Sequence, residues 1–149
     1  MKFWPLEAKV AGGRSGALMR LGPLMVMTPD LGAALDFYGR VLELPLLSRC
    51  DSQLIFEIGA GALHVFECDR MAVPQRHGSD AASVISFEVE DLGEAMSRLQ
   101  AHGVAFLHEQ PARNELAGLI YAAFHAPGGN VHELVQRRKA DVGSAQIER

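Results

Sequence analysis

Two heptapeptides, PDLGAAL (29–35) and EDLGEAM (90–96), share Asp, Leu, Gly and Ala at an offset of 61 residues. Each stands at the same point in a similar run of elements, which constrains the chain to two copies of one unit. In the first copy LMVMT (24–28) reads as a strand and Asp30 as an N-cap. Leu31, Leu35, Tyr38 and Leu42 then recur on one helical face, and Pro45 marks the exit. Strands are expected at 46–50, 53–58 and 62–67, the last two split by a tight GAG turn. In the second copy VISFEVE (84–90) reads as a strand, and Asp91 with Glu94 forms a capping box ahead of Leu92, Met96 and Leu99. Further strands are expected at 104–108, 118–125 and 130–136. Helix physics does not demand glycine as the second residue after a cap, so its recurrence points to shared descent.

These readings predict an α+β fold of two βαβββ modules, 21–67 and 82–136, within one domain over 21–136. Residues 68–81 mix charge, Pro and Gly without periodicity and read as a linker. Residues 1–20, with AGGRSG, form an N-terminal extension, and 137–149 a polar tail. A chain of 149 residues with 48% apolar and 21% charged residues suits one soluble domain or two modules sharing a core. No apolar run reaches the ~18 residues needed to span a bilayer, so no membrane partner is expected. Pro5 and Glu7 interrupt the stretch a signal peptide requires. Cys50 and Cys68 make neither a CxxC pattern nor a disulfide framework, and the simplest expected location is a reducing cytoplasm.

Charge is informative once divided. Lys2, Lys9, Arg14 and Arg20 against Glu7 give the first 20 residues +3, while Arg137, Arg138, Lys139 and Arg149 against Asp141 and Glu148 give the last 13 +2. The total of −4 therefore leaves −9 for residues 21–136. Such an acidic body argues against nucleic acid as a partner, which needs a basic face. It would tolerate a cationic ligand, but it reads first as a solvated surface that aids solubility.

Three stretches carry a family resemblance: DLGAALDFYGRVLEL, FEVEDLGEAMSRLQAHGV and PGGNVHELVQ. In this order and spacing, from Leu21 to Gln136, the chain resembles the vicinal oxygen chelate superfamily of glyoxalases, bleomycin and fosfomycin resistance proteins, and extradiol dioxygenases. Glu43 stands where that family usually has glycine, and Ala126 where it has aspartate before the Pro. The resemblance implies two modules curled into an open, incompletely closed, barrel-like cup, and a homodimer. Metal-dependent members place one ligand on the first and last strand of each module. Those positions map here to Pro23, His64, Val84 and Glu133. Pro23 and Val84 offer no donor, and two ligands fall short of the three that a catalytic metal site normally keeps. The expectation is therefore no metal cofactor. Were one present, His64 and Glu133 would hold a divalent ion such as Zn, Ni, Fe or Mn.

Strand alternation extends that mapping. The concave face is expected to show Pro23, Met25 and Met27; Ala62, His64 and Phe66; Val84, Ser86 and Glu88; and Val131, Glu133 and Val135. Leu24, Val26, Leu63, Val65, Ile85, Phe87 and Val89 would pack under the helices. Met25, Met27, His64, Phe66, Ser86, Glu88 and Glu133 are thus the candidate ligand-binding residues of a mostly apolar pocket with a few polar groups. Taken alone, Met25 and Met27 read as ordinary core. A strand carboxylate needs a partner, and His64 is the expected one for Glu133. That pair would be a proton-transfer couple, making the two residues the catalytic candidates, or a structural ion pair. His132 points toward the helices and reads as a core histidine. Two functions stay open: metal-independent sequestration of a small molecule of the drug-resistance type, and a metal-dependent lyase, isomerase or dioxygenase using His64 and Glu133.

Overall fold

The computed structural model, described over residues 18–19, 21–59, 61–69, 73–81 and 83–139, holds two four-stranded mixed sheets. In the first module β1 (Leu24–Thr28) leads into α1 (Leu31–Asp36), and β2 (Leu46–Cys50), β3 (Gln53–Ile58) and β4 (Gly61–Glu67) follow. Their order in the sheet is β1-β4-β3-β2, with β1 parallel to β4 and the other pairs antiparallel. The second module repeats this with β5 (Ile85–Glu88), α2 (Leu92–Ala101), β6 (Ala112–Asn114), β7 (Leu119–His125) and β8 (Val131–Arg137). Its order is β5-β8-β7-β6, again with the first and last strands parallel. The α+β class and the pair of open sheets agree with the sequence reading.

Both helices start as their caps dictate. Asp30 Oδ1 accepts from the Ala33 amide at 2.9 Å, and Asp91 Oδ1 from the Glu94 amide at 2.8 Å. A Cβ on Gly32 would lie 3.3 Å from the Asp30 carboxylate, whereas one on Gly93 would make an ordinary 3.5 Å contact with Asp91, so local sterics do not account for the recurrence. Beyond Asp36 the first helix widens into a π-helical turn, Phe37–Val41, which turns Phe37, Tyr38 and Val41 all inward. The strand expected at 104–108 is a correction. That segment runs beside β7 through a single bridge, Phe106 to Phe124, and the short strand lies later, at Ala112–Asn114.

Alternation sends Leu54, Phe56, Leu63 and Val65 of the first sheet, and Ala122, Phe124 and Leu134 of the second, to the helix side. There they meet Phe37, Tyr38, Leu92, Met96 and Leu99 in one core common to both modules. Each fully buried large apolar side chain contributes about 1.5–3 kcal/mol. His132 is buried in this layer at 2% exposure, its Nε2 2.7 Å from the Tyr38 hydroxyl. A second tie between modules is Asn130, whose Nδ2 donates at 2.9 Å both to the Met27 carbonyl and to that of Pro127 in its own turn. No helix among the described residues is long and apolar enough to cross a membrane.

Candidate functional site

The concave faces are fixed by register. In the first sheet Met25 sits beside His64 and Met27 beside Phe66, with Ile55 opposite His64 and Gln53 opposite Phe66. Met25 and Met27 are 54% and 44% exposed, so the ordinary-core reading of these two is corrected: both stand on the open face. Gln53 Nε2 lies 3.1 Å from His64 Nδ1. The Gln53 amide nitrogen donates to Nδ1 in the tautomer that carries the ring proton on Nε2. The His64 ring lies 6.3 Å from that of Phe66. This half of the cup is apolar, open to solvent, and carries one oriented imidazole.

In the second sheet Ser86 lies beside Glu133, Ala123 opposite it, and Tyr121 opposite Val135. The Ser86 hydroxyl donates to Glu133 Oε1 in a short hydrogen bond. The other carboxylate oxygen, Oε2, lies 3.4 Å from His77 Nε2. The partner of Glu133 is therefore His77, from the segment read as a linker, while His64 is engaged by Gln53. The His77 ring packs 5.9 Å from Tyr121 and 5.3 Å from His108, and His108 stands edge-on to Tyr121 at 5.7 Å. Burial holds the His108 imidazole below its ordinary pKa, with His77 pushing the same way and Glu133 opposing. Glu88 is exposed and paired with Arg137 at 2.8 Å.

Residues 73–81 lie across this second concave face. Ala81 is buried against Ala123 and Val131, and the Gln75 amide donates to the Gly129 carbonyl at 3.0 Å. The Val73 carbonyl approaches so closely that a Cβ on Gly129 would lie 2.0 Å from its oxygen. Val131, expected on the open face, is covered by this segment to 3% exposure. A cavity of about 330 Å³, lined by His77, Leu107, His108 and His125, flanks the segment. Another of about 260 Å³, lined by Met25, Val84 and Asn130, lies at the seam between modules. Gln75 borders both. Sequence reasoning missed His77, His108 and Tyr121. The available signal was the unpaired strand carboxylate, since Arg76 and His77 are the basic groups just upstream of the second module.

The donor set does not fit a metal of the family's kind. Pro23 and Val84 contribute no ligand atoms, and His64 and Glu133 are each turned to other protein groups. Among the described residues no three His, Cys, Asp or Glu side chains converge on a common point. What the arrangement offers instead is a carboxylate set against the His77 imidazole, with Tyr121 and His108 packed around that ring.

A model of the Glyoxalase/Bleomycin resistance protein/Dioxygenase superfamily matches residues 20–134. No curated protein matches the chain in sequence. Among solved structures the fold is similar to SMU.1112c, at 19% identity over 80% of this chain and 99% of that one, with a TM-score of 0.68. It is also similar to a glyoxalase/bleomycin resistance protein/dioxygenase from Nocardioides (22% identity, 85% and 89% covered, TM-score 0.64). A third is the fosfomycin resistance protein FosX from Listeria monocytogenes, complexed with Mn(II) and sulfate (16% identity, 81% and 92% covered, TM-score 0.65). At these identities the structures speak for the fold alone, and the sequence match over most of the chain decides the family. This chain belongs to the glyoxalase/bleomycin resistance protein/dioxygenase superfamily.

Proposed function

We propose that this chain is a metal-independent member of its superfamily that binds a small, cationic organic molecule in the cup without turning it over. The observation that carries the reading is the chemistry of the concave face: exposed Met25 and Met27 beside the oriented His64, with no convergent set of metal donors among the described residues. Methionine adapts to irregular ligands, and a mostly apolar surface with a few polar groups suits small-molecule recognition. The net charge of −9 over residues 21–136 favours a cation.

The test has two readouts on the purified protein. Elemental analysis is expected to find well under one divalent ion per chain. Titration with small aromatic ammonium compounds is expected to show saturable binding, weakened at least tenfold by Met27→Lys or His64→Ala. One tightly held divalent ion per chain, lost on His64→Ala or Glu133→Gln, would instead establish the metal-dependent lyase, isomerase or dioxygenase reading. We also propose a homodimer, supported by the edge strand β2, all five of whose residues are exposed, including Leu46 and Leu47. Light scattering after gel filtration tests it. The free Cys50 and Cys68 are compatible with a reducing cytoplasm.

A further inference from the structure

We propose that residues 73–81 are an internal occupant of the second module's half of the cup, and that the His77 imidazole stands where a ligand's flat, protonated nitrogen group binds. This rests on the binding reading above and names the chemistry of one subsite. The socket is complementary to such a group on each side that the structure shows. Glu133 supplies the negative charge, and its orientation is fixed because Ser86 holds one oxygen and leaves the other for His77. Tyr121 and His108 supply aromatic walls at 5.9 and 5.3 Å from the His77 ring. A ring over an aromatic face beside a carboxylate is a recognised setting for a cation. The side chains of His77 and Glu133 are 23% and 19% exposed, so the contact is largely closed to water while the segment is in place.

The occupant is held lightly enough to be exchanged. Among the described residues its contacts with the cup are the His77 ring against Glu133, Tyr121 and His108, one backbone bond from Gln75 to Gly129, the Val73 carbonyl over Gly129, and the small side chain of Ala81 against Ala123 and Val131. None buries a large apolar side chain. The cavities on either side of Gln75 give a molecule larger than imidazole room to extend once the segment lifts. Gly129 is what admits the segment at all, since any side chain there collides with the Val73 carbonyl.

The experiment is chemical replacement of the missing ring. Imidazole, kept largely protonated at about pH 6, is titrated into wild type, His77→Ala and the double variant His77→Ala/Glu133→Gln, with amide NMR shifts as the readout. The expected result is saturable binding to His77→Ala, at least tenfold weaker binding to wild type, and loss of binding in the double variant. No saturable binding to His77→Ala, equal binding to wild type, or indifference to Glu133→Gln overturns the proposal. Should His77→Ala not fold, hydrogen exchange on the single variant Glu133→Gln decides. Exchange in residues 73–81 that rises at least tenfold over wild type supports the proposal, and unchanged exchange overturns it. The two readings fail separately. A ligand bound through Met27 and His64 while imidazole ignores His77→Ala removes this subsite alone, and imidazole filling His77→Ala while one divalent ion is tightly held removes only the metal-free reading.

Discussion

His132 couples the stability of the core to pH. Burial pushes its pKa down from 6.5 to about 4, and burial likewise raises that of Tyr38, whose hydroxyl stays protonated beside the neutral ring. The unfolded chain takes up this proton near its ordinary value of 6.5 and the folded chain only near 4. The stabilisation is therefore complete above 6.5 and is lost as the pH falls through that window, by roughly 3–3.5 kcal/mol in all. Urea melts at pH 7 and pH 4.5 are expected to show this loss in wild type and a flatter dependence in His132→Phe. Tyr38→Phe, which leaves the buried Nε2 without a partner, is expected to cost about 1–3 kcal/mol at neutral pH by the same melts. The parity of β8 was enough to place His132 among the helices from sequence. Its partner was not legible, because Tyr38 lies 94 residues away. The face that His77 crosses was hidden for a related reason: a segment without periodicity does not fix its side of the sheet, and only the unpaired Glu133 hinted at a basic partner.

The elements differ in how much of their shape is local. The capped helices and the alternating strands β1, β3, β4, β7 and β8 were readable because each carries its own period and stop signals. β6 was not, since Ala112–Asn114 has no apolar alternation and is a strand only because it pairs with Leu119–Tyr121. The π-helical turn was hidden too, as it arises from packing Phe37, Tyr38 and Val41 into a core shared with the other module. Local signals predict local costs. Asp91→Ala is expected to lose about 1 kcal/mol in chemical denaturation, the usual value of a cap. Gly129→Ala acts across elements. Its backbone sits at φ +77°, and the added methyl collides with the Val73 carbonyl, so the segment 73–81 must move away. A loss on the order of 2 kcal/mol in thermal melts is expected, together with loss of amide-exchange protection at Gln75.

At the scale of the whole molecule the two repeats are not two folding units. The helix-side face of the second sheet is covered in part by Phe37 and Tyr38 of the first module, through Phe124 at 6.2 Å and His132 at 5.8 Å between ring centroids. Residues 82–149 expressed alone are expected to show no cooperative thermal transition by circular dichroism, whereas the full chain shows one. The parallel pairing that closes each module also has a consequence in time. β1 finds its partner 39 residues later, Leu24 against Leu63, and β5 finds its own 47 residues later, Ile85 against His132. A nascent first strand therefore waits, unpaired along both edges, until the last strand of its module has left the ribosome.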